Sequence, residues 1–494
     1  MPLIPLQIPP GVYRNGTDFE ASNRWTDANL VRWHNGSMRP VGGWSTRVSS
    51  AYAAAPRAMH AWSDNTAGSN LAAGTYEKLY YTNVSGTTYD ITPVGFTAGS
   101  EDASVNTAYG GNYYGTGFYG VSRPNSGVFQ EATTWSLDNW GEYLVACSTD
   151  DGDLYEWQLD TGTPAAAISN APTGCKGLVV TEERFLFALA AGGNPRKVQW
   201  CDREDNTTWT PDATNEAGDF ELQTSGQIMC GLRMRGRTLI ITNNDAHIAT
   251  YSGPPYVYGF ERVGTACGVI ARKAAVAIDQ GAFWMGAQGF FAFDGSVAKE
   301  IKCDVTDYIF CDINLNQISK AYAVHNSKFG EIWWFYPSQN SLENDRYVAY
   351  DYLEGHWEVG QIDRTAGVDN GIFSDPIWAD ASGNLYDHEL NASLGHGAYT
   401  PFAETGPISL GNGDSVMKVN NLIPDERNQG DVEVTFKTRF HPNDTERTYG
   451  PYSMSNPTSV RFTGRQIRMR VESAKNVCWR AGIMRIEASP GGRR

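Results

Sequence analysis

The sequence has little of what usually assigns a chain to a functional class. It contains no window of 18 or more apolar residues, so we expect no membrane-spanning helix. Its N-terminus lacks the basic and long apolar segments of a secretory signal. The eight cysteines are scattered, without a Cys-x-x-Cys pair or paired histidines at zinc spacing. They indicate small core residues in a protein that folds in a reducing compartment.

Motifs of catalysis are also missing. The eight histidines show no His-Glu-x-x-His spacing, and there is no Gly-x-Ser-x-Gly elbow. The acidic clusters Asp150-Asp151 and Asp202–Asp205 lie in contexts typical of solvated turns, not of paired glycosidase carboxylates. The stretch Ser148–Tyr155 resembles the Asp-box turn of sialidases, which is structural even in enzymes. The sequence therefore predicts no catalytic residue, no cofactor, no metal site and a protein that is not an enzyme.

Positive charge is scarce. The formal net charge is −16, whereas a sequence-neutral nucleic-acid binder is normally basic, so tight DNA or RNA binding is disfavoured. The charge is also uneven. Residues 395–494 contain 14 Lys and Arg against 10 Asp and Glu, a net +4, which leaves −20 on the rest of the chain. Segments of such different charge indicate two domains with different neighbours.

Aromatic and β-branched residues are abundant, and they are concentrated in Glu331–Ile362. Three short runs rich in these residues are separated there by polar and turn residues, which predicts an antiparallel meander. In the first run, Ile332 to Phe335 are consecutive and apolar, so both faces of that strand require burial. A sheet stacked between similar sheets provides this, which predicts a blade of a β-propeller.

Similar units recur along residues 51–395. From the second unit on, their spacing is roughly 40–50 residues, the period of a four-stranded blade. Three units share a turn glycine that opens a strand whose third residue is aromatic and is followed by an acid, at Gly86–Asp90, Gly152–Glu156 and Gly383–Asp387. The glycine supplies the positive φ of a tight turn. We therefore predict an all-β chain with a β-propeller of about six or seven blades.

The flanking segments differ from this repeat. Residues 1–50 predict an N-terminal arm and a hairpin at Asn35-Gly36. Residues 94–132 form a Gly/Tyr-rich insertion, and 304–320 predict short helices with Thr306 and Asp312 as N-caps. Residues 396–494 alternate apolar and polar residues with period 2, which predicts a C-terminal β-sandwich with one buried and one solvated face per sheet.

Two groups of residues are candidate interaction sites. The first is a basic row, which is either a solvated sandwich face, the commoner origin of such a row, or a docking surface for the acidic part of a neighbouring copy or another acidic protein. The second is the set of insertion tyrosines, which a partner could order on assembly. The basic row consists of Arg461, Arg465, Arg468 and Arg470, and the tyrosines are Tyr109, Tyr113, Tyr114 and Tyr119.

Several motifs resemble those of the tail hub or nozzle proteins of short-tailed bacteriophages, also called packaged-DNA stabilisation proteins. They are Val198–Trp209 followed by Ala217-Gly-Asp, Thr238–Tyr251, and Arg346–Tyr352 with Trp357. Cys201 stands where a small polar residue is more typical. The C-terminal stretches 402–410, 462–470 and 490–494 are similar to a variant found in phage structural proteins.

The resemblance implies a virion structural protein located in the short tail and assembled in the host cytoplasm. It implies a homo-oligomeric ring, a hexamer, below the head-to-tail connector or adaptor proteins, which continues the DNA exit channel and carries tail spikes or fibres. Double-stranded DNA would pass through the lumen without sequence-specific binding, as an acidic wall allows.

An alternative from another class is a carbohydrate-binding or carbohydrate-cleaving receptor-recognition propeller of a phage tail. The many Trp and Tyr residues motivate it, because aromatic rings suit sugar faces. A weaker alternative is a scaffold propeller unrelated to phages.

Overall fold

A computed structural model describes residues 3–48, 50–105, 129–279, 281–410, 415–454 and 456–491. The regular structure in these ranges is almost entirely antiparallel β-sheet. The N-terminal segment holds five short strands: β1 (Leu3–Pro5), β2 (Trp25–Asn29), β3 (Val31–His34), β4 (Ser37–Pro40) and β5 (Gly43–Thr46).

The next strands form the first four blades, each a four-stranded sheet in simple sequential order. A short pair, β10 and β11, lies between blades one and two. Blade one is β6 (Ala58–Ser63), β7 (Ser69–Gly74), β8 (Leu79–Thr82) and β9 (Thr88–Asp90); the pair is β10 (Ser104–Val105) and β11 (Phe129–Gln130); blade two is β12 (Trp135–Trp140), β13 (Tyr143–Ser148), β14 (Leu154–Trp157) and β15 (Ala166–Ala167); blade three is β16 (Gly177–Val180), β17 (Leu186–Leu189), β18 (Lys197–Trp200) and β19 (Gly218–Glu221); blade four is β20 (Ile228–Met234), β21 (Arg237–Thr242), β22 (Asp245–Gly253) and β23 (Val257–Thr265).

Three further blades follow, and the last takes one strand from the N-terminal segment. Blade five is β24 (Ala275–Ile278), β25 (Gly281–Met285), β26 (Phe290–Phe293) and β27 (Ala298–Ile301); blade six is β28 (Tyr322–Asn326), β29 (Glu331–Tyr336), β30 (Arg346–Asp351) and β31 (His356–Gln361); blade seven is β32 (Ala366–Val368), β33 (Ile377–Ala379), β34 (Leu385–Leu390) and β5.

The seven blades close into a ring. The first strand of each blade lies against the first strand of the next, and β32 of blade seven lies against β6 of blade one. Blade seven is completed when β5 pairs with β34, for example Ser45 opposite Asp387. The β-propeller prediction is thus confirmed, with seven blades in the described part of the chain.

Blade six shows why the stretch Glu331–Ile362 is so apolar. All six residues of β29 are buried. Trp333 points toward blade seven, where its ring lies 5.2 Å from that of Trp378, whereas Trp334 points toward blade five, 4.8 Å from the ring of Phe290. Both faces of the strand therefore pack on neighbouring blades, as predicted.

The predicted turn glycines adopt the conformation that the repeat requires. Gly86, Gly152 and Gly383 have φ values of 82°, 73° and 81°. A Cβ on Gly383 would lie 2.5 Å from the carbonyl oxygen of Tyr52, so both the backbone angle and the close approach require glycine there. The turn at Asn35-Gly36 joins β3 to β4 with positive φ at both residues, which confirms the predicted hairpin.

A buried ionic cluster, the Arg32 cluster, holds this hairpin against blades six and seven. Arg32 on β3 is 1% exposed; its Nε lies 2.7 Å from Glu331 and its Nη1 donates to Glu389 at 2.8 Å. Burial lowers the pKa of Arg32, but the attraction of the two carboxylates outweighs it and the pKa is raised. Gly42 allows the approach, since a Cβ there would meet Glu389 Cα at 2.5 Å.

One α-helix, α1 (Thr306–Asp312), and three short 3₁₀ turns, Ala191–Gly193, Ile318–Lys320 and Ala392–Leu394, complete the described ring. The predicted helical segment at 304–320 is confirmed, but the N-cap assignments are wrong. The cap residue of α1 is Val305, whose apolar side chain cannot accept a capping hydrogen bond, and the hydroxyl of Thr306 donates to the carbonyl of Cys303 instead. Asp312 is the last helical residue.

After the ring, two antiparallel sheets share one apolar core. The first sheet has the order β1-β42-β37-β40 and the second the order β2-β35-β41-β38-β39, with β36 on β41. Phe436 and Phe462, from different sheets, have ring centroids 5.0 Å apart. The strands are β35 (Phe402–Thr405), β36 (Ile408–Ser409), β37 (Met417–Ile423), β38 (Val432–Arg439), β39 (Arg447–Ser453), β40 (Thr458–Gly464), β41 (Gln466–Ser473) and β42 (Arg485–Pro490).

Strands of residues 1–50 join both parts of the molecule. β1 pairs with β42 and β2 with β35 in the C-terminal sheets, whereas β5 belongs to the ring. The segment predicted as an arm and hairpin therefore links the two parts. The predicted domain boundary near residue 396 lies between the turn Ala392–Leu394 and β35.

Candidate functional site: the mouth of the central channel

The innermost strands of the blades surround a central channel. At the end of the channel where these strands finish, a cavity of about 960 Å³ opens to solvent. Blades three to seven contribute charged and polar side chains to it, among them Glu182, Arg233, Asp279, His325, Tyr352 and Asp369. We name this cavity the channel mouth.

A chain of hydrogen-bonding groups lies in the wall of the channel mouth. His325, near the end of β28, places its Nδ1 2.8 Å from a carboxylate oxygen of Asp369. Its Nε2 lies 3.1 Å from the hydroxyl of Tyr352. Asp369 is oriented in turn by the backbone N–H of Ser327 at 3.1 Å. The carboxylate thus fixes the imidazole, and the imidazole faces the phenol.

This Tyr352–His325–Asp369 relay has the connectivity of a nucleophile, base and orienting acid. The electrostatics oppose that use. The pKa of Tyr352 is raised, first by burial and then by the negative charges of Asp369, Asp351 and Asp279. A tyrosine nucleophile requires the opposite shift. At neutral pH the phenol therefore keeps its proton. The three side chains are suited to binding a polar ligand or to fixing one another's positions in the wall of the channel mouth.

Deeper in the channel, a second cavity of about 450 Å³ shares His325 and Asp369 with the mouth. Lys273 lines it, and within the described ranges its ammonium group has no acceptor at hydrogen-bond distance. Its pKa is lowered to about 8, because burial disfavours the charged form more than nearby Cys230 and Asp138 favour it. Near pH 8 this amine is therefore only partly charged.

His60 faces the same cavity from blade one. Its Nε2 lies 3.2 Å from the Asn139 side-chain oxygen and 4.0 Å from Asp138. Burial lowers the pKa of His60 despite the attraction of Asp138, so the imidazole is neutral at pH 7. The channel wall thus mixes acids, bases and neutral donors, with no continuous field of one sign.

The sequence analysis missed this site because its members are dispersed. His325, Tyr352 and Asp369 belong to different strands and turns of blades six and seven, without a fixed spacing motif. A sequence signal did exist, since His325 and Asp369 lie at the ends of the first strands of consecutive blades. Aligning the blades by their first strands places both side chains at the channel mouth.

The four arginines of the predicted basic row do not share one surface. Arg461 is exposed on β40 of the first C-terminal sheet, and Arg465 lies in the turn that follows. Arg468 and Arg470 lie on β41 of the second sheet, on the side opposite the buried Met469 and its neighbours. The row is continuous in sequence, but its side chains leave from two different sheets.

Two of these arginines already have acidic partners within the chain. Arg468 contacts Asp18 at 2.7 Å and Glu446 at 2.9 Å. Arg470 contacts Glu472 at 3.0 Å and lies over the ring of Phe402 at 3.5 Å from its centroid. The docking role predicted for the row stays a prediction, and Arg461 is its most exposed member.

Three further predictions concern the insertion tyrosines, the cysteines and membrane-spanning helices. The insertion tyrosines Tyr109, Tyr113, Tyr114 and Tyr119 lie outside the described residues. All eight cysteines are free thiols; six are buried, in agreement with small core residues, while Cys311 and Cys478 are exposed. In the part of the chain that the structure describes, no helix is long and apolar enough to cross a membrane.

Comparisons with known proteins give a fold-level likeness. No protein-family model matches the chain, and no curated protein matches it. Among solved structures, a streptogramin B lyase is 9% identical, with a TM-score of 0.43 over 70% of this chain and 97% of that one. Virginiamycin B lyase from Staphylococcus aureus has 7% identity and a TM-score of 0.43 over 70% and 98%. The Pan2 WD40 domain of Neurospora crassa has 9% identity and a TM-score of 0.39 over 69% and 94%.

Proposed function

We propose that this chain is a virion structural protein of a short-tailed bacteriophage, a tail nozzle or hub without catalytic activity. Six copies of the chain form a hexamer below the head-to-tail connector and continue the DNA exit channel. The hexamer carries spike or fibre proteins, and double-stranded DNA passes through the lumen between the six subunits without sequence-specific contacts. Its location is the short tail of the virion, after assembly in the host cytoplasm.

The observation that carries this proposal is the placement of the motif Val198–Trp209. Its apolar members are built into blade three: Val198, Trp200, Cys201 and Trp209 are all buried. Trp209 Nε1 donates to the carbonyl of Asn206 at 2.6 Å, and the Cys201 sulfur accepts from a backbone N–H at 3.1 Å. A family motif of this kind preserves a scaffold, which suits a structural protein.

Charge distribution supports the same proposal. The net charge of −20 before residue 395 makes an assembly of these propellers acidic on balance, and an acidic surface does not retain DNA by counterion release. Residues 395–494 carry +4 and provide a surface of opposite sign for neighbouring subunits or connector proteins. DNA can therefore slide past the acidic propellers, while the basic surface of residues 395–494 holds the assembly together.

Cryo-electron microscopy of purified phage particles that contain this chain tests the proposal. We expect six copies arranged around the tail axis, directly below the connector, with DNA density along the axis. Absence of the chain from the tail, or its presence as an isolated monomer, overturns the proposal.

The docking role is tested separately with Arg461→Glu. Charge reversal on this exposed residue should reduce incorporation into particles, measured by quantitative mass spectrometry of purified virions. Arg262→Glu is the matched control, because Arg262 is also exposed but belongs to β23 of blade four. Equal incorporation of both variants at the wild-type level removes the docking role while leaving the nozzle proposal intact.

A second candidate function is carbohydrate recognition at the channel mouth. The abundance of Trp and Tyr, which suggested this function from the sequence, supports it less in the folded chain. Fourteen of the fifteen tryptophans are buried, and the remaining one, Trp44, is partly buried. The cavity of about 960 Å³, with Tyr352 and acidic groups in its wall, is instead the feature that favours it. Glycan-array binding that is lost in Tyr352→Phe, or release of reducing sugar, supports this candidate. The absence of both removes it.

A further inference from the structure

A second cluster of ligand-type side chains lies away from the channel, where the N-terminal hairpin meets blade six. The hairpin ends β3 with His34, and the turn between β30 and β31 carries Asp351 and Glu354. One ligand atom from each of these three residues lies within 4.8 Å of the other two. These residues are far apart in sequence, and the docking of the hairpin onto the ring brings them together.

Each of the three groups has a free coordinating atom. The His34 ring packs edge-on against Phe329, and its nitrogens have no hydrogen-bond partner within the described ranges. Asp351 uses one oxygen, Oδ1, to accept the backbone N–H groups of Leu353 and Glu354, both at 2.8 Å, and leaves Oδ2 available. Glu354 accepts the Asn35 N–H through Oε1 and keeps Oε2.

A fourth residue, His356, lies beside this group. It is only 8% exposed, and its Nε2 is buried without a hydrogen-bond partner among the described residues. This nitrogen lies 3.6 Å from Glu358 Oε1 and 3.9 Å from Asp351 Oδ2, so it faces two carboxylates at ion-pair distance. The buried imidazole therefore lies behind the Asp351 carboxylate, in the position of a group that orients a ligand.

We propose that His34, Asp351 and Glu354 bind a divalent transition-metal ion, with His356 as a fourth ligand or as the group that orients Asp351. One or two imidazoles with two carboxylates form a donor set suited to zinc or manganese. Ligand atoms in such sites lie about 2.0–2.2 Å from the ion, so the three groups must close slightly around it. Glu354 is exposed on a turn, and its Oε2, which does not take part in the hydrogen bond with Asn35, is the oxygen that would face the ion.

The ion would connect the N-terminal hairpin to blade six. The surrounding backbone favours this arrangement, because Asn35 and Gly36 form a tight turn and Gly355, with φ of 78°, ends the turn that carries Glu354. The Arg32 cluster already fixes the same hairpin two residues earlier on β3. The metal site would therefore fasten the exposed end of the hairpin whose buried end is held by ion pairs.

Isothermal titration calorimetry of the full chain, after treatment with EDTA and dialysis, tests this site. Zinc chloride and manganese chloride are the titrants. Manganese is included because thiolates compete poorly for it, so binding at the exposed Cys311 and Cys478 does not contribute. We expect one ion per chain, and at least a tenfold weaker affinity in His34→Gln and in Glu354→Gln.

Matched controls are His441→Gln and Glu300→Gln, which change exposed residues of the same types in the loop between β38 and β39 and in blade five. Both should keep the wild-type affinity and stoichiometry. Thermal unfolding gives a second readout, since metal should raise the midpoint of the wild-type chain more than that of His34→Gln. The inference is overturned if neither ion binds, or if His34→Gln and Glu354→Gln bind as tightly as the controls.

Discussion

The ring and the C-terminal sheets bury their strands in different ways. In β29 of blade six every residue is buried, because the neighbouring blades cover both faces of the sheet. In β40 buried and exposed residues alternate strictly, because only one face of its sheet packs on another. The same kind of antiparallel strand therefore depends on two contact surfaces in the ring and on one in the C-terminal sheets. This difference sets where substitutions have the largest effect.

The largest effect is expected at the junction between the two parts. Arg32→Ala leaves Glu331 and Glu389 buried without their shared cation, and removing one partner from a buried ion pair costs about 3–5 kcal/mol. We expect the free energy of unfolding, measured by urea unfolding, to fall by an amount near the top of that range. Arg39→Ala on the adjacent strand β4, which has no ion pair among the described residues, is the control. An equally small effect of both changes contradicts a stabilising role of the Arg32 cluster.

The next effect tests the double burial of β29. Trp333→Ala and Trp334→Ala should each cost about 3–5 kcal/mol through cavity formation, since both indoles are fully buried. The comparison is Arg461→Ala on β40, an outward-facing position that should change stability by about 0.5 kcal/mol or less. Neutral behaviour of either tryptophan variant in thermal unfolding would show that the blade packing is wrong at that face.

Acid sensitivity should come from the ring. His388 on β34 is buried and accepts a hydrogen bond from Arg364 at 2.9 Å; its pKa is lowered well below the ordinary value, first by burial and then by Arg364. Below about pH 6.5 the unfolded chain gains a proton that the folded chain excludes, so stability falls by about 1.4 kcal/mol per pH unit. Above that pH this contribution is fully present.

Urea unfolding at several pH values between about 7.5 and 5.5 measures this slope. His388→Gln should flatten it, and His441→Gln, at an exposed position in the loop between β38 and β39, is the comparison variant. An unchanged slope in His388→Gln assigns the acid sensitivity to other groups.

The smallest effect is expected on the outer face of the C-terminal sheets. Arg468→Ala removes ion pairs with Asp18 and Glu446, which surround a side chain that is 18% exposed. We expect a loss of about 0.5–1 kcal/mol that decreases at high salt, because partly exposed pairs are screened. A loss that is large and independent of salt would contradict the partly exposed ion pairs of Arg468 and indicate a buried ionic interaction instead.

Much of the fold follows from local signals in the sequence. The apolar run Ile332–Phe335 predicts double burial, the glycines at 86, 152 and 383 predict tight turns, and the alternation at Ile467, Met469 and Val471 predicts a singly buried strand. These features depend on neighbours in sequence, so their periodicity is visible without the fold.

Other features depend on contacts between distant segments. The strand Gly43–Thr46 carries no sign that it completes blade seven, and Arg32 carries no sign of its two carboxylate partners. His325 and Asp369 likewise become neighbours only when the ring closes. Pairing over such distances is decided by topology, which a single sequence does not display. The basic row shows the same limit, because residues that are adjacent in sequence lie on two different sheets.

The strand β5 has a consequence for biosynthesis. Its partner β34 ends at Leu390, so residues 43–46 leave the ribosome more than three hundred residues before the strand with which they pair. At roughly 5–20 residues per second, this delay is about 17–70 s. During that time an unpaired strand could join a nascent neighbour on the same messenger RNA. The ring thus closes on its earliest-made strand only after β34 has been synthesised, and the yield of correctly closed molecules should depend on how well β5 is shielded until then.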